Sequence, residues 1–154
     1  MAISPFVAGY PLLASDMNLI GGFWASYTPT WSSTGTAPVL NNGTLTGRWA
    51  RCGNVIFYMI KLTIGSTTSL GTGNYTFTLP VAVGSVTDFI GDAFAGDNSV
   101  GSAGYSVGRA FLGAGGLVGA YFGNTVGASA LTNANPMTWA NGDRLWLSGF
   151  YEAA

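Results

Sequence analysis

Three aspartates, Asp88, Asp92 and Asp97, form the acidic cluster of this chain and are its best candidates for chemistry. A pair of carboxyl groups can hydrolyse a glycosidic bond, and carboxylate oxygens together with Asn98 could hold a calcium ion. No neighbouring residue marks one of the three as a proton donor, however, and their spacing matches no calcium loop. We therefore expect solvated acids at loops and strand ends, no catalytic residues, no metal and no cofactor.

Cysteine and histidine chemistry is limited by composition, because the chain holds one cysteine and no histidine. Cys52 cannot form a disulfide within the chain, and no imidazole is present to activate it or to complete a metal site. We interpret Cys52 as a small apolar residue beside a turn at residues 53–54. The sequence thus favours a protein that is not an enzyme.

The composition of the 154 residues indicates one domain that does not stand alone. Charged residues make up 7% of the chain, against about 25% in ordinary soluble proteins, and hydrophobic residues make up 48%. A free monomer with so few charges is poorly protected against self-association. We therefore expect partner subunits to cover part of its surface.

Charge and hydropathy also exclude two classes of partner. The net charge is -1 and the five basic residues are scattered along the sequence, so we expect no nucleic-acid partner. No uninterrupted apolar run approaches the roughly 18 residues of a membrane span, so no membrane insertion is expected. The N-terminus lacks the features of a secretory signal, which predicts assembly in the cytoplasm.

Residues 1–23 differ from the rest of the chain, and we predict that they form an anchoring or oligomerisation arm. Ser15 is suited to cap a short helix over residues 16–20, which the glycines at 21 and 22 would end. A helix of one or two turns needs a surface to dock on. The apolar residues predicted to make that contact are Phe6, Val7, Leu12, Leu13, Met17, Leu19 and Ile20. Residues 24–154 form the predicted body.

The body is predicted to be all-β, as an antiparallel β-sandwich or jelly roll. Apolar runs separated by glycine, asparagine and proline turns are typical of short strands. After residue 22 no helical pattern is long enough for the crossover that a parallel sheet requires. The predicted strands cover residues 44–51, 55–64, 75–79, 88–95, 105–112, 117–123 and 144–151.

The strand predicted at residues 55–64 is apolar on both faces, which indicates that both faces are covered. Such a strand is central in a sandwich or lies at a contact between subunits. Five tryptophans supply more apolar cover than one thin sandwich needs, which favours a homotrimer. The predicted subunit-contact residues are Phe57, Tyr58, Met59, Ile60 and Trp146.

A set of short motifs stands out once the strands are placed. They are Ala-Gly-x-x-Leu-x-Ala-x-x-x-Asn at 8–18, Tyr-Thr-Pro-Thr-Trp at 27–31, Asn-Gly-Thr at 42–44, Gly-Arg-Trp-Ala-Arg-Cys-Gly at 47–53, Gly-Ser-Thr-Thr at 65–68 and the strand at 141–151. In combination they resemble a family of small bacteriophage virion proteins labelled tail-associated or fibre proteins. The resemblance implies a structural or adhesive role, usually as a homotrimer.

Two functional hypotheses follow from the resemblance and a third from the aspartates. In the first, the chain is a homotrimeric tail or fibre protein of the virion, whose glycine-rich loops between residues 96 and 135 present Trp, Tyr, Ser and Asn to host-surface glycans. In the second, it is a capsid accessory or decoration protein that stabilises the shell. Both make other copies of the chain, and other virion proteins bound through the arm, its partners. In the third, a tail enzyme cleaves glycans with the three aspartates.

Overall fold

The structure, a computed structural model, describes residues 9, 11, 13–14, 22–84, 88–113, 116–123 and 127–154. Leu13 of the predicted arm is among them and is exposed. The helix predicted over residues 16–20 lies outside the described residues. So do the other predicted arm residues, Phe6, Val7, Leu12, Met17, Leu19 and Ile20. The arm and the boundary at residue 23 therefore stay predictions.

The described residues form ten strands and one short 3₁₀ turn at Gly101–Gly104. All seven predicted strands are present, with ends displaced by one residue at most, whereas β1, β2 and β9 had no predicted counterpart. No helix in this part of the chain is long and apolar enough to cross a membrane. The strands are β1 (Ala25–Tyr27), β2 (Trp31–Ser33), β3 (Thr44–Cys52), β4 (Val55–Thr63), β5 (Tyr75–Thr78), β6 (Phe89–Gly96), β7 (Tyr105–Gly113), β8 (Leu117–Phe122), β9 (Ser129–Ala130) and β10 (Arg144–Glu152).

All ten strands join one antiparallel sheet, in the order β1-β3-β4-β10-β6-β7-β8-β5-β2, with β9 paired to β8. The C-terminal strand β10 lies in the middle of this order, between β4 and β6. It pairs with β4 along its whole length, from Arg144 opposite Thr63 to Glu152 opposite Val55. The all-β, antiparallel prediction is confirmed. The two layers expected of a sandwich belong to one continuous ladder that curls on itself.

The curl follows from the position of the two edge strands. β1 and β2 occupy opposite ends of the sheet order, yet residues 28–30 alone separate them in sequence. Because an extended chain advances at most about 3.6 Å per residue, the two edges lie within about 14 Å of each other. Thr30 and Thr78 hold the linker to β5: the Thr30 N–H donates to Thr78 Oγ1 at 2.8 Å, and the Thr78 N–H donates to the Thr30 carbonyl at 3.1 Å.

The inner face of the curled sheet forms one buried cluster. Strands β6 and β7 contribute small side chains such as Ala93, Ala95 and Ala110, whereas β4 and β5 contribute large ones such as Tyr58 and Phe77. Small residues on one wall leave the volume that large residues on another wall fill, as close packing requires. The other members of the cluster include Trp31, Ile56, Ile60, Leu62, Tyr75, Val118, Phe122, Leu131, Trp139, Leu145, Leu147 and Tyr151.

The strand β4 differs from its prediction on one face. Ile56, Tyr58 and Ile60 are buried, but Phe57 and Met59 are 41% and 51% exposed. The single chain therefore covers only the inner face of β4, and the alternative of a contact between subunits stays a prediction. The physical reason is that one sheet curled on itself buries only its inner face, so any cover for the outer face must come from another part of the chain or another molecule.

The loops at residues 33–43 and 64–74 are fastened to each other by side chains. Asn41 has φ 46°, a left-handed conformation suited to a turn, and this turn lies between β2 and β3, which are not paired with each other. Asn42 Oδ1 accepts hydrogen bonds from the N–H and the hydroxyl of Thr67 at 2.9 and 2.7 Å. Gly65 lies against Asn42 and the Gly43 nitrogen so closely that a Cβ atom would overlap them. Glycine is therefore required at position 65.

A buried carboxylate connects two other loops. Asp143 is 1% exposed; its Oδ1 accepts from the Asn98 N–H at 2.9 Å and its Oδ2 from the Ala140 N–H at 2.7 Å. These bonds tie the segment after β6 to the turn that precedes β10.

Replacement of this carboxylate should destabilise the fold. In Asp143→Ala both backbone N–H groups lose their acceptor inside the protein, so we expect the free energy of unfolding to fall by about 2–4 kcal/mol. Urea denaturation followed by tryptophan fluorescence measures the change. Asp97→Ala is the control, because its carboxylate is accessible to water, and it should cost clearly less. An equal loss in both variants would contradict the role assigned to Asp143.

Buried tyrosines make the fold sensitive to alkali. Burial raises the pKa of Tyr75 and of Tyr151 to about 12 and also raises the pKa of Tyr27 and Tyr58. An unfolded tyrosine titrates near pH 10.0, so above that pH the native state holds more protons than the unfolded state. The contribution of these tyrosines to the free energy of unfolding should be fully present below pH 10 and be lost progressively between about pH 10 and 12.

This loss can be followed by circular dichroism and tyrosinate absorbance, which should change together. Tyr58→Phe keeps the ring and removes the ionising group. The Tyr58 hydroxyl has no hydrogen-bond partner in the described part of the chain, so the substitution removes no bond seen there. The pH dependence should be shallower in this variant. Ionisation of the buried tyrosines without unfolding would contradict the prediction.

Candidate functional site: the outer face of the sheet

The three aspartates are spread along one strand and its ends. Asp88 precedes β6, Asp92 lies within it and Asp97 follows it. At about 3.3 Å per residue, successive Cα atoms of the three are roughly 13 and 16 Å apart along the chain. In the described part of the chain no three His, Cys, Asp or Glu side chains gather as a metal site would require.

The side chains of two of these aspartates have identified partners. Asp92 pairs with Arg109 at 2.8 Å on the surface, an exposed ion pair worth under about 1 kcal/mol. Asp97 Oδ1 accepts from the hydroxyl and the N–H of Ser99 at 2.6 and 2.8 Å. These bonds favour the ionised carboxylate and lower the pKa of Asp97. The geometry is that of a surface ion pair and a local turn.

The outer face of the sheet presents the largest set of exposed aromatic side chains. Register defines this face, because alternate residues of neighbouring strands point to the same side. The residues of β3, β4, β10, β6 and β7 that point outward include Arg48, Phe57, Met59, Lys61, Arg144, Trp146, Ser148, Phe150, Asp92, Phe94, Tyr105, Val107 and Arg109.

One part of the outer face is purely apolar, and we call it the hydrophobic patch. It consists of Val55, Phe57 and Met59 on β4 and Phe150 on β10. Their exposed fractions lie between 37% and 62%. Phe57 and Phe150 stand opposite each other across the strands, with ring centroids 6.1 Å apart. Apolar residues clustered in this way on a soluble protein commonly mark a contact surface.

A second part of the outer face combines rings with positive charges, and we call it the cationic aromatic patch. It consists of Lys61, Arg144, Trp146, Phe94 and Tyr105. The Lys61 ammonium lies 5.9 Å from the centroid of the Trp146 ring. The Phe94 ring lies 5.4 Å from Trp146 and 4.9 Å from Tyr105. This continuous row of rings crosses strands β10, β6 and β7.

A glycine forms the floor of this second patch. A Cβ atom on Gly96 would lie 3.2 Å from the Tyr105 ring and 3.4 Å from the Trp146 ring. Both rings therefore approach the bare backbone of β6. A Cβ atom at Gly96 would require the Tyr105 ring to shift by a few tenths of an ångström.

The predicted subunit-contact residues fall in three different places. Phe57 and Met59 belong to the hydrophobic patch, and Trp146 belongs to the cationic aromatic patch. Tyr58 and Ile60 are 1% and 2% exposed and lie in the core, so the structure does not place them on the surface predicted for a contact. The side chains of a strand alternate between its faces, so the five residues do not share one surface. Phe150 was not among the predicted contact residues, although the alternation of β10 places it beside Phe57. The subunit contact itself stays a prediction.

Positive charge also gathers on the outer face. Arg48, Lys61 and Arg144 occupy the neighbouring strands β3, β4 and β10, and Arg109 lies on β7. The register turns Arg51 toward the inner side. The five basic residues are scattered along the sequence, but four of them share the outer face of the folded sheet. Only the pairing of distant strands could show this.

The segment from 96 to 135, which was expected to carry a glycan-binding face, forms β7, β8, β9 and their connections within the described residues. Tyr105 is its exposed aromatic residue in the cationic aromatic patch. The segment therefore contributes to the outer face through a strand.

No protein-family model and no curated protein matches the chain. Its fold is similar to part of the crystal structure of the Dettilon tailspike protein, with a TM-score of 0.61 and 20% sequence identity. The match covers 85% of this chain and 24% of the tailspike chain. This chain thus spans about a quarter of that protein, and the likeness concerns the fold.

The partners of Asp92 and Asp97 predict that these carboxylates do not cleave glycans. Incubation with bacterial surface polysaccharide should release no reducing ends that depend on them, because the Asp92 carboxylate pairs with Arg109 and the Asp97 carboxylate accepts hydrogen bonds from Ser99. Asp92→Asn and Asp97→Asn serve as matched variants. Release of sugar by the native protein that disappears in either variant would contradict this prediction.

Proposed function

We propose that this chain is a non-enzymatic structural protein of a bacteriophage virion, associated with the tail or fibre, and that it forms a homotrimer through the hydrophobic patch. The single observation that carries the proposal is this uncovered patch on a chain with only 7% charged residues. The likeness to a tailspike fold and the virion-protein motifs support the tail location. The arm then binds other virion proteins, and host-surface glycan is a candidate ligand.

The patch is suited to a contact between copies because the fold of one chain leaves it uncovered. β4 and β10 are central strands of the sheet, and their inner faces are buried in the core. Their outer faces carry Phe57, Met59 and Phe150, and the nearest charged side chains, Arg48 opposite Met59 and Glu152 opposite Val55, lie at the margins of the patch. A second copy packed on this patch would supply the second layer that a sandwich has, removing apolar surface from water.

The chain leaves the body beside the same face. Trp24 precedes β1, and its ring lies 6.0 Å from the Arg48 guanidinium. Arg48 also donates to the Trp24 carbonyl at 3.3 Å. These contacts hold Trp24 against Arg48 at the β1 edge of the sheet, where the proposed arm joins the body.

Polar substitution in the hydrophobic patch should dissociate the trimer. Phe57→Ser and Phe150→Ser each remove a ring from the proposed contact, so we expect monomers at micromolar concentration, measured by sedimentation equilibrium. Val107→Ser is the matched control, because Val107 is an exposed apolar residue on the same face outside both patches. It should leave the trimer intact. A native protein that sediments as a monomer would refute the proposal.

Deletion of residues 1–23 tests the arm. The remaining chain keeps every described strand and the whole buried cluster, so we expect a folded, soluble body with an unchanged circular dichroism spectrum. That body should no longer enter virions when supplied in place of the full chain. Normal incorporation of the truncated protein into particles would contradict the anchoring role.

A further inference from the structure

The cationic aromatic patch carries positive charge that the structure does not balance. No carboxylate of the described residues pairs with Lys61 or Arg144, whereas Arg109 is neutralised by Asp92. Arg48 on β3 adds a third cation; it stands opposite Met59, which is two residues before Lys61 on β4. Glu152 is the other acid on this face and lies at the far end of β10, opposite Val55. A partner that carries negative charge would therefore be complementary to the patch.

The arrangement of rings specifies the rest of that partner. Trp146, Phe94 and Tyr105 form a row across three strands, and Lys61 and Arg144 stand at its β4 and β10 side. At about 4.8 Å between strands, the span from Lys61 to Tyr105 is about 14 Å. A ligand that matches this surface is elongated, offers C–H faces to the rings and carries anionic groups for the cations.

We propose that the cationic aromatic patch binds an anionic polysaccharide, with sugar rings stacked on Trp146 and Tyr105 and acidic groups paired with Lys61 and Arg144. The acidic group is a carboxylate or a phosphate, which the two cations recognise alike. The proposal deepens the proposed function by naming the class of glycan and the surface that binds it.

Two other occupants fit this patch less well. A second copy of the chain seated on it through the same patch would bring Lys61 and Arg144 of both copies together, and like charges oppose such a contact. A nucleic acid would gain little, because only two or three cations are available and the whole chain has a net charge of -1. The two patches are neighbours: Phe150 and Trp146 are about 13 Å apart along β10, and Met59 and Lys61 are about 7 Å apart along β4.

Binding of defined polymers to the full-length protein tests the proposal. Tryptophan fluorescence and isothermal titration should detect binding of polygalacturonate, which bears carboxylates, or of a phosphomannan, which bears phosphates. The polymer with the higher affinity identifies the acidic group. Neutral dextran should bind at least about tenfold more weakly, and affinity should fall as salt rises, because exposed charges are screened. Equal affinity for dextran would overturn the proposal.

Variants locate the binding to the patch. Lys61→Gln, Arg144→Gln and Trp146→Ala should each weaken binding about tenfold, since each removes one charge-assisted or stacking contact. Arg109→Gln is the matched control, because it removes an exposed basic residue from the same face outside the patch, and it should change affinity less than about twofold. Unchanged affinity in all three patch variants, or tighter binding of single-stranded DNA than of polygalacturonate, would overturn the proposal.

The trimer is measured on the same samples, which separates this inference from the proposed function. If the patch variants remain trimeric and lose polysaccharide binding, both proposals are supported. If they fall apart into monomers, the patch is a subunit contact and the binding proposal fails. If the native protein is a monomer that binds polygalacturonate through Trp146, the binding proposal holds and the proposed function fails.

Discussion

A single sheet that curls to bury one face leaves its other face without cover, and this constraint organises the molecule. The curl is imposed by the short link between β1 and β2, which joins the two edges of a ten-stranded order. Inside, small residues on β6 and β7 face large residues from other strands. The alternate residues of the same strands point outward, and in the middle of the sheet many of them are apolar or aromatic. The surface properties of the protein are thus a consequence of how its core is closed.

Three of the motifs that resemble virion proteins lie at positions that hold the fold together. Tyr-Thr-Pro-Thr-Trp at 27–31 contains the link that closes the sheet, with Pro29 buried within it. The glycine and threonine of Gly-Ser-Thr-Thr at 65–68 meet Asn42 where the two loops are fastened together. The motif at 141–151 holds Asp143 and most of the central strand. These residues maintain the architecture, so a shared set of motifs indicates a shared fold before it indicates a shared ligand.

The glycine- and alanine-rich middle of the chain has a physical role of the same kind. Ala93, Ala95 and Ala110 keep one wall of the core thin, and Gly96 lets two rings lie on the strand from outside. The small number of large side chains in this middle segment therefore does not indicate that the segment is unfolded. β6, β7 and β8 form at the positions predicted for them, although each contains at least one glycine.

The sequence alone determined which residues form the long strands and which residues of each strand share a face, because both follow from the period of two along an extended chain. It could not determine which strands are neighbours. The placement of β10 between β4 and β6 joins segments far apart in the chain, and the hydrogen bonds of a ladder leave no local signal of their partner. For that reason Lys61, Trp146 and Phe94 are unrelated in sequence but form one surface in the folded protein. That surface, like the burial of Tyr58 and Ile60, was decided only when the sheet closed around its core.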